Sequence, residues 1–321
     1  MMCAPPALFE ARSPRRDPDR VPGGSDGATL ARSCVAAAVI DGITTRYEIR
    51  GSGTPLLMFS PGGFDATLDK WTTLPAYARV KLLDHLAQTY RCIVFDRRET
   101  GESGGRVERV TWAHYVRQGY GLLEHLGITR AHVMGGCMGC SCAIAFGVAH
   151  RDAALSLLLW WPVGGAKYRI NGHRRFAEHV AYVEAHGLDR VVALARSSDK
   201  SFGQDPRGGP WVSVLRRDPD FAASYARHDV RQYTQLVVGM ARALLDRDTA
   251  PGADAEDLLQ LSIPALVVPG QDATHATSAA RYLEECLQHA QYWDVAVERQ
   301  TEQNASGRLL EFLESVEPSP A

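Results

Sequence analysis

The sequence predicts an α/β fold: a mostly parallel sheet flanked by helices, with a helical segment inserted late in the chain. Three observations carry that expectation. Short apolar runs at 55–60, 91–96, 131–135, 155–161 and 264–269 stay hydrophobic on consecutive residues instead of alternating, as strands covered on both faces do. Between them lie stretches of helical character at 74–88, 111–126, 138–150 and 277–289, giving the strand-helix alternation of a parallel sheet. Over 164–261 the β signal disappears and residues such as Phe176, Val180, Val183, Leu236, Val237, Met240 and Leu244 recur at helical spacing.

Taken in order, residues 1–33 are rich in Pro, Arg, Asp and Gly and cannot bury enough apolar surface to order themselves, so a disordered tail is expected there. Strands at 35–40 and 44–50 flank Asp41-Gly42, a hairpin signal. The first parallel strand, 55–60, leads to a helix at 74–88, strand 91–96 and a helix at 111–126 that Gly127 stops. Strand 131–135 and helix 138–150 follow, then strand 155–161, ended by Pro162. After the helical insertion the sheet resumes with 264–269, helix 277–289, strand 291–297 and a closing helix at 306–316. The domain reading is therefore a tail at 1–33, a core at 34–163 and 262–317, and an insertion at 164–261.

Composition narrows the partners. With 35 basic and 37 acidic residues, the net charge of −2 gives no reason to expect nucleic acid or an acidic membrane surface. No apolar run approaches the roughly 18 residues of a membrane span, and the N-terminus lacks the pattern of a secretory signal. Seven cysteines, an odd number scattered through apolar segments, suit reduced thiols, so a cytoplasmic protein is expected. A small-molecule substrate is the expected partner, and a homodimer is compatible with the composition.

Chemistry concentrates in Ala131-His132-Val133-Met134-Gly135-Gly136-Cys137-Met138-Gly139-Cys140-Ser141-Cys142. A strand ends in glycines, a thiol follows, and a small-residue helix begins: the nucleophile-elbow pattern G-x-S-x-G written with cysteine. A residue at the tip of so tight a turn occupies strained backbone, which explains Gly135 and Gly139 beside it. Cys137 would stand over a helix N-terminus, where partial positive charge favours thiolate. The run C-x-x-C-x-C has no second knuckle and no histidine at zinc spacing, so Cys140 and Cys142 read as packing residues; no metal and no cofactor are expected.

Three further segments join this one in order: Pro55-Leu56-Leu57-Met58-Phe59-Ser60-Pro61-Gly62-Gly63-Phe64; Asp96-Arg97-Arg98-Glu99-Thr100-Gly101-Glu102-Ser103-Gly104 after an apolar strand; and Ile263-Pro264-Ala265-Leu266-Val267-Val268-Pro269-Gly270-Gln271-Asp272. Together the four resemble the α/β-hydrolase fold superfamily over roughly residues 35–316. The resemblance implies an eight-stranded sheet with the insertion as a lid. It also implies an oxyanion hole built from the backbone of Met138 and of the Gly62-Gly63-Phe64 loop, with Gly63 or Phe64 as the second donor. Asp272 stands where the superfamily carries its catalytic acid, and capping of the next helix is the alternative. Arg97, Arg98 and Glu99 would form a buried ion-pair network shaping the oxyanion loop, and Trp160 and Trp161 would wall the substrate site.

The histidine departs from the pattern. The superfamily places it after the last strand, but residues 297–306 contain none. Three readings follow: His275 supplies the imidazole from the loop that carries Asp272, or the thiolate works without a base, or the site only binds. The expected activity is a cysteine-dependent reaction at a carbonyl through a thioester, whether hydrolysis or acyl transfer. A non-hydrolytic lyase or cyclase and an inactive small-molecule binder are the alternatives.

Overall fold

A computed structural model describes residues 34–317 of the chain, and the tail expected over 1–33 lies outside them. Among the described residues eight strands form one sheet: β1 (Cys34–Ile40), β2 (Ile43–Arg50), β3 (Pro55–Phe59), β4 (Arg91–Phe95), β5 (Ala131–Gly136), β6 (Ala154–Trp160), β7 (Ala265–Val268) and β8 (Ala290–Tyr292). The spatial order is β1-β2-β4-β3-β5-β6-β7-β8. Strand β2 runs antiparallel to β1 and β4, and every later pairing is parallel. The hairpin turns through Asp41 and Gly42, both at positive φ.

Both faces of this sheet are buried, which is why its strands read as unbroken apolar runs. Leu57, Phe59, Ile93, Phe95 and Val133 face one core, while Leu56, Met58, Cys92, Val94 and Met134 face the other. Along β6 the same alternation sends Leu157 and Leu159 to the first core and Leu158 and Trp160 to the second.

The helices are α1 (Lys70–Thr73), α2 (Pro75–Val80), α3 (Leu82–Leu86), α4 (Trp112–His125) and α5 (Gly139–Ala149), then, between β6 and β7, α6 (Ala166–His186), α7 (Leu188–Ser197), α8 (Val212–Arg217), α9 (Pro219–Ala226), α10 (Val230–Leu244) and α11 (Ala255–Leu259). The chain closes with α12 (Thr277–Cys286) and α13 (Glu302–Ser315). Two expectations need correcting. The helix expected at 74–88 is two short pieces, α2 and α3, because Lys81 adopts a left-handed conformation with φ 45°, and Leu74, extended ahead of Pro75, separates them from α1. The last strand, expected at 291–297, ends at Tyr292, and a 3₁₀ turn occupies Val297–Arg299. No helix among the described residues is long and apolar enough to cross a membrane.

The step from β5 into α5 is closely packed, backbone against backbone. A Cβ on Gly139 would lie 2.2 Å from the Phe59 carbonyl oxygen, and one on Gly135 2.3 Å from the Gly139 oxygen. Backbone cannot yield there as a flexible side chain could. Gly139→Ala is therefore expected to destabilise the protein by about 3 kcal/mol, read as a lower denaturation midpoint at unchanged m-value.

Candidate active site

Cys137 occupies the bend between β5 and α5 with φ 54°, a conformation unusual for a residue with a side chain. Its amide donates to the Trp160 carbonyl at 3.1 Å, tying the bend to the end of β6. The thiol is partly exposed. It borders a cavity of about 260 Å³ lined also by Gly62, Gly63, Phe64, Asp65, Met138, Tyr168, Asn171, Gly172, Arg175, Ser201 and Thr274.

Burial alone would raise the thiol pKa, yet the balance falls the other way: the His275 imidazole and the backbone amides of Gly62 and Met138 hold it below its ordinary value. His275 responds in kind. Burial opposes its charge, but Cys137 and then Asp272 raise it to about 9. Each group thus favours the charged form of the other. His275 Nδ1 lies 2.8 Å from Asp272 Oδ2, and its buried Nε2 has no hydrogen-bond partner among the described residues. Asp272 Oδ1 also accepts from the amides of Thr274 (2.7 Å) and His275 (2.9 Å). It does not cap α12, whose N-cap is Ala276. Burial would raise its pKa, but the His275 side chain and these amides keep it below the usual carboxylate value.

The loop carrying this pair is held against the start of the insertion. Gly164 donates to the Thr274 carbonyl at 3.1 Å and pairs with His275 in an isolated bridge. A Cβ on Gly270 would meet the His275 Cβ at 2.4 Å, so glycine there makes room for the histidine.

Beyond the last strand, Gln300 is fully buried. Its Oε1 accepts from Trp161 Nε1 at 2.7 Å, and its Nε2 donates to the carbonyls of Val295 (2.8 Å) and Pro269 (3.3 Å). This satisfied amide occupies the segment where a histidine was sought, and Trp161 packs between it, Tyr77 and His275.

Some further placements differ from expectation. Trp160 and Trp161 do not line the cavity: strand alternation turns Trp160 into the opposite core, against Trp293, and Trp161 backs the imidazole. The backbone amides that hold the thiol pKa down are those of Gly62 and Met138. Gly63 instead offers its carbonyl to Arg97 Nη2, while Phe64 packs edge-on against Phe176 and Phe202 at 5.3 and 5.5 Å. Of the expected ion-pair network only Arg98 and Glu99 are paired, at 2.9 Å, with Glu108 beside them. Arg97, fully buried, meets no carboxylate; it contacts Gly63, the Cys142 thiol at 3.5 Å and the Tyr115 ring at 4.9 Å. Cys140 is a packing residue, its thiol donating to the carbonyls of Gly135 and Trp160.

The α6 residues at the cavity, Tyr168, Asn171, Gly172 and Arg175, follow i, i+3, i+4, i+7 spacing and share one helix face. Sequence reasoning passed over them because a polar helix face looks the same whether it borders solvent or a cavity.

Comparison with known proteins agrees with this architecture. A family model described as the α/β-hydrolase fold matches residues 55–160, the stretch from β3 through the elbow to the end of β6. The chain is an α/β-hydrolase-fold protein. A solved hydrolase from Pseudomonas aeruginosa superposes on 87% of this α/β-hydrolase-fold chain and 98% of its own, with TM-score 0.57 and 21% identity. An enol-lactonase from Burkholderia xenovorans covers 87% and 100%, with TM-score 0.55 and 19% identity. In sequence, the chain is 31% identical over 143 residues to the dihydrolipoyllysine-residue acetyltransferase component of the acetoin cleaving system of Cupriavidus necator. That match takes in 44% of this chain and 36% of the relative, so the chain spans about a third of the relative's length.

Proposed function

We propose that this protein is a cysteine-dependent acyl-transferring or hydrolytic enzyme that works through a thioester on Cys137, with His275 and Asp272 as its proton-handling pair. The observation that carries the reading is Cys137 at a positive-φ bend bordering the cavity, with His275 held by Asp272 at 2.8 Å; thiol and imidazole pKa are displaced in opposite directions, downward and upward. Such opposed displacement at one cavity suits a nucleophile and its partner, and a site that only binds has no need of it.

The steps balance with residues of this chain. The thiolate sulfur attacks the acyl carbon, forming the C–S bond and placing negative charge on the carbonyl oxygen beside the Met138 and Gly62 amides. As that intermediate collapses, the bond to the leaving oxygen breaks and the leaving group takes the His275 proton. Neutral His275 then removes a proton from water or an acceptor, which attacks the thioester. The C–S bond breaks, and thiolate and imidazolium are restored. Asp272 holds the ring by Nδ1 and stabilises its charge throughout. In this reading the insertion serves as a lid, with α6 and Ser201 bordering the cavity that the thiol faces and limiting water around the thioester. Its small volume, below the range of about 300–1,000 Å³ that holds drug-sized ligands, favours short acyl groups. The acetyltransferase relative keeps acyl transfer beside hydrolysis.

Intact-mass analysis after mixing with p-nitrophenyl acetate tests the reading. The expected result is one acetyl adduct per chain, mapped to Cys137 and dischargeable by water or an added thiol. A chain that turns over the ester without ever carrying that adduct refutes it.

A further inference from the structure

The charge around the cavity is unbalanced. Asp65, on the oxyanion loop, is matched by Lys70 Nζ at 2.9 Å, and Asp272 is matched by His275. Arg175 borders the same space and has no ion-pair or hydrogen-bond partner among the described residues. Beneath the loop lies a second guanidinium, Arg97, buried with its Nε unpartnered and no carboxylate in contact. Tyr168 borders the same cavity, and after burial the charges bearing on its hydroxyl are those of Cys137, Arg97, Arg175 and Cys142. A guanidinium left free on a cavity wall is a fork of donors shaped for a carboxylate.

Resting on the thioester reading, we propose that the acyl substrate carries a carboxylate at the end remote from the reacting carbonyl, received by Arg175 on the α6 face. Asn171, one helical turn earlier on that face, supplies an uncharged donor at the same space. The arrangement discriminates by charge. A neutral acyl chain of equal length leaves the guanidinium unpaired, whereas a carboxylate neutralises it.

The test compares the p-nitrophenyl half-ester of glutaric acid with p-nitrophenyl pentanoate, and separately the equilibrium binding of glutaramate with that of pentanamide. The expected result for the native protein is a preference of at least about tenfold for the carboxylate-bearing member of each pair. In Arg175→Gln, with its melting temperature checked against native, the preference falls toward one, and Arg175→Lys recovers part of it. Equal handling of both members by the native protein, or a preference that Arg175→Gln leaves intact, overturns the proposal. Should neither ester acylate Cys137 while glutaramate binding still depends on Arg175, the carboxylate seat stands and the thioester reading falls.

Discussion

In Cys137→Ala, ester turnover is expected to drop by at least about 10⁴-fold in kcat/KM, with the acyl adduct lost and the fold retained. The magnitude follows from what remains. The amides of Gly62 and Met138 and the His275–Asp272 pair stay in place, but no atom is left to bond the acyl carbon, so only positioning and polarisation of a direct attack by water persist. Alanine also suits the strained backbone at φ 54° no worse than cysteine does, and it removes a group that is only partly exposed, so the melting temperature should move little. Turnover within tenfold of native, measured alongside a native melting temperature, contradicts a nucleophilic role.

The second large effect is expected for His275→Gln. Without the imidazolium, burial again dominates Cys137 and its pKa rises above the ordinary thiol value of 9.0, leaving under about 1% thiolate at neutral pH. Alkylation by iodoacetamide at pH 7 should slow by about 100-fold, and ester turnover by about 10²–10⁴-fold, as general acid-base catalysis is lost with it. The pH profile of the native protein follows from the two directions. The imidazole, raised from 6.5 to about 9, contributes stability that is fully present below 6.5 and is lost as pH rises through about 9. The thiol, lowered from 9.0, contributes stability present above 9.0 that is lost as pH falls through its depressed value. The ion pair is populated between the lowered thiol pKa and about 9, so the iodoacetamide labelling curve of Cys137 should rise at lower pH than that of an ordinary thiol of pKa 9.0. Leaving-group protonation, and ester turnover with it, should decline above about 9. A labelling curve that rises only near 9.0 contradicts the pairing.

The sheet was legible because its strands announce themselves: an interior covered on both faces demands unbroken runs such as Leu56–Phe59, and the elbow demands glycine where backbone passes backbone at Phe59 and Gly139. Segments whose conformation rests on single residues were less so. Lys81 in a left-handed conformation splits a helix whose hydrophobic pattern runs on, and Gln300 looks like any polar residue until Trp161 is seen donating to it. The aromatic pair on β6 was misread because nearness along the chain to the sheet's upper edge says nothing of which face a side chain takes; parity along the strand decides that, and Trp160 has the parity of Leu158. Arg97 and Arg98 are neighbours with opposite fates for a similar reason: one turns toward Glu99 and Glu108, the other toward the Gly63 carbonyl.

Asp272 and His275 belong to a single tight turn, with only two residues between them. Their mutual geometry is therefore set by a few local bonds and not by the register of two distant strands. What varies is the placement of the whole turn against the sulfur, and that turn is stitched to Gly164 just ahead of α6. The backbone that leads into the cavity-lining helix α6 is thus the same backbone that anchors the turn holding the imidazole, so on the proposed mechanism the pocket wall and the proton donor share one support.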